Sequence, residues 1–190
     1  MAKIVATINI TLNGSCDHTS GIPDEELHDH YTEVIRGSDI ILYGRTTYQL
    51  MEGHWPGLVK NPSGEKSMDE FAIALHNIRK IVFSRTLKSL SWETSVLAKR
   101  SLEDEVRSLK AQPGKDVLIG SPSLINGLTK IGLIDEYQLC IHPVIAPDGL
   151  YLFKNIPEQL VLKLTKTKTF PAGQVMHYYE CRHSGQMANS

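Results

Sequence analysis

The sequence predicts an α/β fold with a mostly parallel sheet, and three observations carry that expectation. Apolar, β-branched runs alternate with amphipathic stretches of helical spacing through the first two thirds of the chain. The last third turns to strand patterns alone and closes on two runs separated by Pro171-Ala172-Gly173. Two strands also pass through a glycine straight into a helix start, at Ile40-Ile41-Leu42-Tyr43-Gly44-Arg45-Thr46-Thr47-Tyr48 and at Asp116-Val117-Leu118-Ile119-Gly120-Ser121-Pro122-Ser123-Leu124. Such βα connections produce parallel strands, so the final hairpin becomes an antiparallel edge.

Each element has a local reason. Residues 3–11 are rich in β-branched side chains and form a first strand. Pro23-Asp24-Glu25-Glu26 opens a helix with proline near its first position and carboxylates where the helix dipole favours them. That helix runs to about Arg36 and stops at Gly37. Residues 39–43 make the second strand, and a short helix follows to Met51. Residues 53–67 hold three glycines and two prolines and predict a long mobile loop. A helix over 68–77 leads to a strand over 79–83, a short strand over 95–98 and a helix over 102–110. After Gly120 a helix of about ten residues ends near Gly132. Strands over 137–144, 160–170 and 175–182 complete the sheet, the middle one alternating as a strand with one wet face. Residues 1–183 form one domain, and 184–190 a polar tail.

Composition excludes several classes. With 190 residues and 41% hydrophobic content, the chain supports one sizeable core. A net charge of −1 and a pI near 6.7 offer no electrostatic footprint for nucleic acid or an anionic membrane. Cys16, Cys140 and Cys181 are odd in number and widely spaced, which argues for a reducing compartment over a disulfide framework. The amino terminus is too short and mixed for a signal peptide, and no apolar run reaches membrane-spanning length. A soluble, cytoplasmic protein is expected. His28-x-His30, Cys16-Asp17-His18 and Cys181-Arg182-His183 each fall short of the three or four ligands a zinc site needs, so no metal is expected. No Walker loop, Gly-x-Ser-x-Gly elbow or Gly-x-Gly-x-x-Gly occurs.

The two junctions are the informative feature. A helix start presents unpaired N–H groups and partial positive charge, so it attracts anions. Gly44 and Gly120 permit close ligand approach or a positive φ angle. Arg45 adds a planar cationic fork suited to phosphate. Phe83-Ser84-Arg85-Thr86 and Ala98-Lys99-Arg100-Ser101 place three more cations after other strands, where ligands of open α/β sheets gather. Each cation alone reads best as a solvated surface charge. Their repetition suits a dinucleotide with an extra phosphate, NADP rather than NAD.

These segments resemble a known family. Leu42 to Tyr48, Ile81 to Thr86 and Ile119 to Leu124 are similar, in order and spacing, to the cofactor segments of the dihydrofolate reductase superfamily. Leu133 to Leu139, His142 to Ile145 and Leu152-Phe153 resemble its branch found as the C-terminal domain of bacterial riboflavin-biosynthesis reductases. Thr11-Leu12-Asn13-Gly14 is similar to that branch's Ser-Leu-Asp-Gly, and Tyr48 to Pro56 to its stand-alone bacterial members. The resemblance covers roughly residues 3–182 and implies a three-layer dihydrofolate reductase-like fold. Its mostly parallel central sheet would have about eight strands, an antiparallel C-terminal hairpin and NADPH along the carboxyl edge.

By matching position, the resemblance assigns Gly44, Arg45, Thr46 and Thr47 to the pyrophosphate and the 2′-phosphate. Ser84 and Arg85, with Lys99 or Arg100, fall to the adenosine half. Gly120, Ser121, Ser123 and Leu124 would cradle the pyrophosphate from the other side, and Ala6 and Ile119 would border the nicotinamide. Pro122 stands where the family often has glycine, and its missing N–H is partly dispensable at a helix start. The family's first-helix carboxylate position falls on His28, with Asp29 adjacent, which makes these the candidate catalytic pair. Equally open is that His28 and His30 are half-exposed residues without a chemical role. Asp135-Glu136 and His142-Pro143 read as sheet-edge features.

The implied activity is NADPH-dependent reduction of a small pyrimidine- or pteridine-type molecule, as by 5-amino-6-(5-phosphoribosylamino)uracil reductase. A dihydrofolate or pterin reductase and a non-catalytic NADPH-binding sensor are the alternatives. The resemblance also implies a homodimer.

Overall fold

Six apolar runs become parallel strands: β1 (Ile4–Thr11), β2 (Ser38–Gly44), β3 (Arg79–Phe83), β4 (Ser95–Leu97), β5 (Asp116–Ile119) and β6 (Glu136–His142). The hairpin of β7 (Leu162–Thr169) and β8 (Val175–Cys181) joins through β8, antiparallel to β6. The sheet order is β4-β3-β2-β5-β1-β6-β8-β7. This is a computed structural model that describes residues 2–147 and 149–181. The expected tail at 184–190 lies outside the described residues.

The helices are α1 (Glu25–Arg36), α2 (Arg45–Glu52), α3 (Trp55–Lys60), α4 (Lys66–Asn77), α5 (Leu102–Lys110) and α6 (Pro122–Lys130). Side chains alternate across each strand, so the sheet has two apolar faces to bury. On one face Val5, Ile41, Tyr43 and Val82 pack with Ile35 of α1, Tyr48 of α2 and Leu75 of α4. On the other, Ile4, Ala6, Leu42 and Ile119 pack with Val106 of α5 and Ile125 and Leu128 of α6. A third cluster, Leu27, Cys140, Phe170, Met176 and Tyr178, seats α1 over the hairpin. The result is the three-layer α/β architecture with the expected eight strands.

Local chemistry sets the helix starts. Asp24 caps α1 by accepting from Leu27 N at 2.8 Å, with Glu25 and Glu26 in the first turn, so Pro23 lies just before the helix. Ser101 caps α5 through Asp104 N at 3.1 Å. The expected loop over 53–67 is a correction: α3 occupies Trp55–Lys60, and α4 begins at Lys66. Pro56 falls in the first turn of α3, where its absent N–H is harmless. The Trp55 ring meets Phe71 at 4.6 Å and His54 at 4.9 Å, and that aromatic packing offsets the ordering of a glycine-rich segment. Among the described residues no helix is long and apolar enough to cross a membrane.

Candidate active site at the carboxyl edge of the sheet

β5 is short, and this opens a notch. β1 pairs with β5 only from Ile4↔Val117 to Ala6↔Ile119, but continues along β6 to Thr11↔His142. Gly120 follows β5 at the floor of the notch, with β1 rising on one side and the β2–α2 junction on the other. Here the two glycine junctions meet. Gly44 N donates to Ser121 Oγ at 2.9 Å in a buried position. A Cβ on Gly44 would stand 3.3 Å from Ser123 Oγ and 3.8 Å from Leu124 Cγ. With φ at −78°, Gly44 is needed for this close approach and for no unusual backbone angle.

That bond has a consequence for both helices. Ser121 is the N-cap of α6 and fully buried, yet it makes no capping bond, because its Oγ is turned to Gly44. Gly44, the N-cap of α2, has no side chain to cap with. Two helix starts therefore lie side by side with their first-turn N–H groups unmet by cap side chains. Pro122 removes one donor, and the amides of Ser123 and Leu124 remain in that turn. α2 is held rigidly from behind. Tyr48 Oη donates to Glu52 at 2.5 Å and accepts from Trp92 N at 3.2 Å.

The neighbouring strand end joins the same edge. Arg45 Nη1 donates to Thr86 Oγ1 at 3.1 Å, and Ser84 Oγ accepts from the amides of Thr86 and Leu87 at 3.2 and 3.0 Å. Arg45, Thr46 and Arg85 are exposed, Thr47 and Ser84 half-buried. Lys99 and Arg100 are exposed after β4, one strand further out. Ala6 and Ile119 are register partners but both fully buried, with side chains in the core. Only their backbone can border a ligand. The donor set thus fits a phosphate-rich dinucleotide: paired helix-start amides, hydroxyls and exposed cations on one edge.

The α1 candidates are spread apart by helix rotation, about 100° per residue. His28 packs against Phe71 at 5.7 Å and Trp55 at 6.3 Å, between α1, α3 and α4, and burial holds its pKa below the ordinary histidine value. Asp29 lines a groove of about 330 Å³ between α1 and α4 with Thr32, Lys66 and Glu70. The structure does not bring Asp29 to the notch. Tyr31 lies over the sheet instead. Its hydroxyl donates to Asn9 Oδ1 at 2.8 Å, on the part of β1 beyond β5, and burial keeps it protonated by raising its pKa well above the usual tyrosine range. Sequence reasoning missed this pair. The available signal was the sheet-facing stripe Leu27, Tyr31, Ile35, whose middle member carries a hydroxyl.

The sheet-edge reading of the acidic pair is met. Asp135 accepts from Ile4 N at 2.9 Å and pairs with Lys110 at 2.5 Å, while Glu136 pairs with Lys3 at 3.4 Å.

Comparison with known proteins agrees with this architecture. A family model described as the RibD C-terminal domain matches residues 2–176. YyaP of Bacillus subtilis (strain 168), an uncharacterized protein, is 33% identical over 181 residues, covering 93% of this chain and 94% of YyaP. A pyrimidine reductase-like protein of Corynebacterium diphtheriae superposes with a TM-score of 0.64 at 17% identity, covering 96% of this chain and 93% of that one. RibD of Acinetobacter baumannii gives 0.70 at 14% identity, over 96% of this chain and 59% of RibD. At such identities the two structures speak for the fold.

Proposed function

Because the chain belongs to the RibD C-terminal domain family, we propose that it is an NADPH-dependent reductase acting on a pyrimidine- or pteridine-type substrate. The observation that supports this most is the Gly44 N to Ser121 Oγ bond at 2.9 Å, which presses two uncapped helix starts into one anion-binding edge beside Arg45. The amides of Thr46, Thr47, Ser123 and Leu124 would hold the pyrophosphate. Arg45 and Thr86, with Arg85, would take the 2′-phosphate, and Lys99 or Arg100 would add charge nearby. NADPH, when bound, supplies a hydride to a C=N or carbonyl carbon of the substrate. The protein's own part is positioning and exclusion of water at the notch, with the Tyr31–Asn9 pair as neutral hydrogen-bonding groups on the substrate side. A homodimer, in a cytoplasmic setting, remains part of the proposal.

The sensor reading has one observation in its favour. Four carboxylates of α1 and its cap are engaged or turned away: Asp24 caps α1, Glu33 pairs with Arg36, and Glu25 and Asp29 line the groove against α4. Fluorescence titration with NADPH and NADH tests the cofactor assignment, and a screen of pyrimidine and pteridine substrates for NADPH oxidation follows. Absence of NADPH binding at micromolar concentration would remove every reductase reading. Binding without turnover would favour the sensor.

A further inference from the structure

The segment between β1 and α1, residues 12–24, is tied across the carboxyl end of the sheet. Leu12 N donates to Val144 O at 2.9 Å, and Cys16 N to Leu150 O at 2.7 Å. Its last stretch is held in an unusual way. The Ile22 side chain is 43% exposed, yet both backbone polar groups of Ile22 bind fully buried side chains of the sheet. Ile22 N donates to His142 Nδ1 at 3.1 Å, and Ile22 O accepts from Gln174 Nε2.

His142 ends β6, and Gln174 immediately precedes β8. The register Cys140↔Met176 and Ile141↔Val175 continues to set these two side by side. Gly21 leaves room for the ring, since a Cβ there would lie 3.4 Å from His142 Cε1. Two residues after Ile22, Asp24 caps α1 and accepts from Ala172 N at 3.1 Å in the hairpin turn. The start of α1 is thereby fastened to the sheet at three points.

A packing role would not select these residues. His142 and Gln174 are 1% and 0% exposed, and His142 Nε2 and Gln174 Oε1 are buried with no hydrogen-bond partner among the described residues. Apolar side chains of similar size would fill the space without that desolvation cost. What they could not supply is an acceptor and a donor aimed at the two peptide groups that flank Ile22. The acceptor role also sets the tautomer, since Nδ1 can accept only when the ring proton is on Nε2.

We propose that His142 and Gln174 are positioning residues that grip Ile22 from both sides and so fix the start of α1, the helix whose Tyr31 meets Asn9. The proposal rests on the reductase reading only for what α1 borders. Nitrogen-15 NMR of histidine-labelled protein tests the tautomer: an unprotonated Nδ1 and a protonated Nε2 are expected for His142. Amide exchange tests the grip. His142→Leu should speed exchange at Ile22 by roughly tenfold, the scale of one lost hydrogen bond, and Gln174→Leu, which frees the Ile22 carbonyl, should speed it in the same direction by a smaller factor, with Ile125 in α6 unchanged as a marker of intact fold. His142→Asn puts an oxygen near the place of Nδ1 and should restore slow exchange. An Nδ1–H tautomer, or Ile22 exchange unmoved by both leucine variants, overturns the proposal. Should a leucine variant fail to fold, the wild-type tautomer and the other variant still decide. Loss of NADPH binding in the wild type would strike the reductase reading and leave the exchange result standing.

Discussion

Replacing Ser121 by alanine should destabilise the protein by about 1–3 kcal/mol, although the usual reasoning about helix caps would assign the loss to the wrong bond. Ser121 is fully buried, and its Oγ accepts from the buried Gly44 N at 2.9 Å. Alanine leaves that N–H buried and unmet, which costs about 1–3 kcal/mol. No capping contribution adds to this, because Ser121 makes no capping bond to α6. For a chain of this size each kcal/mol lowers Tm by roughly 2–4 °C, so a fall of about 2–12 °C is expected. Urea unfolding with an unchanged m-value is the assay. Ser121→Asp separates the two accounts. Aspartate caps as well as serine, so a capping role predicts little change. In the observed geometry Ser121 is fully buried against Gly44, so the larger side chain overpacks the site and the variant should be less stable than wild type. An alanine variant indistinguishable from wild type, or an aspartate variant as stable as wild type, would refute this reasoning.

Other expectations follow from the same geometry. Arg45→Ala should weaken NADPH more than NADH, because the lost contact is to the extra phosphate; equal weakening in the titration would reject that role. His30 sits against Phe170 and bonds Tyr178 Oη at 3.2 Å; burial, then Lys168 and Lys166, push its pKa from 6.5 down to about 4. The folded ring stays neutral while the unfolded one takes up a proton below pH 6.5. Stability present above that pH is therefore lost as pH falls toward 4, by roughly 3 kcal/mol at most and about half that for a half-exposed ring. His30→Phe should flatten urea-unfolding free energies across pH 6.5 to 4, and an unchanged slope would count against this source. The proposed homodimer should sediment at about twice the 21.2 kDa of one chain, and a single-chain species at micromolar concentration would remove it.

The strands and most helices were legible because their signals are local. β3, expected over 79–83, is Arg79–Phe83, and α5, expected over 102–110, is Leu102–Lys110. Periodicity, caps and breakers act within a few residues and survive in one dimension. α3 was hidden for the opposite reason: its glycines and proline signal a loop, and the packing of Trp55 on Phe71 from α4 overrides them. The proposed cofactor edge was legible in its parts, since a helix start after a glycine presents unpaired N–H groups wherever it lies in the fold.

The proposed substrate side was not, because spacing along α1 says little about which neighbour each side chain meets. His28 and Asp29 are adjacent in sequence yet turn toward different surroundings, while Tyr31 reaches Asn9, 22 residues away. By itself the sequence determined that two strand–helix junctions exist, that each opens a helix after a glycine and that Arg45 belongs to one of them. Only the tertiary structure decided that the junctions touch. Gly44 N finds Ser121 Oγ across 77 residues, and a bond of that kind is set by which strands the sheet makes neighbours, here β2 beside β5, and not by either segment's own chemistry.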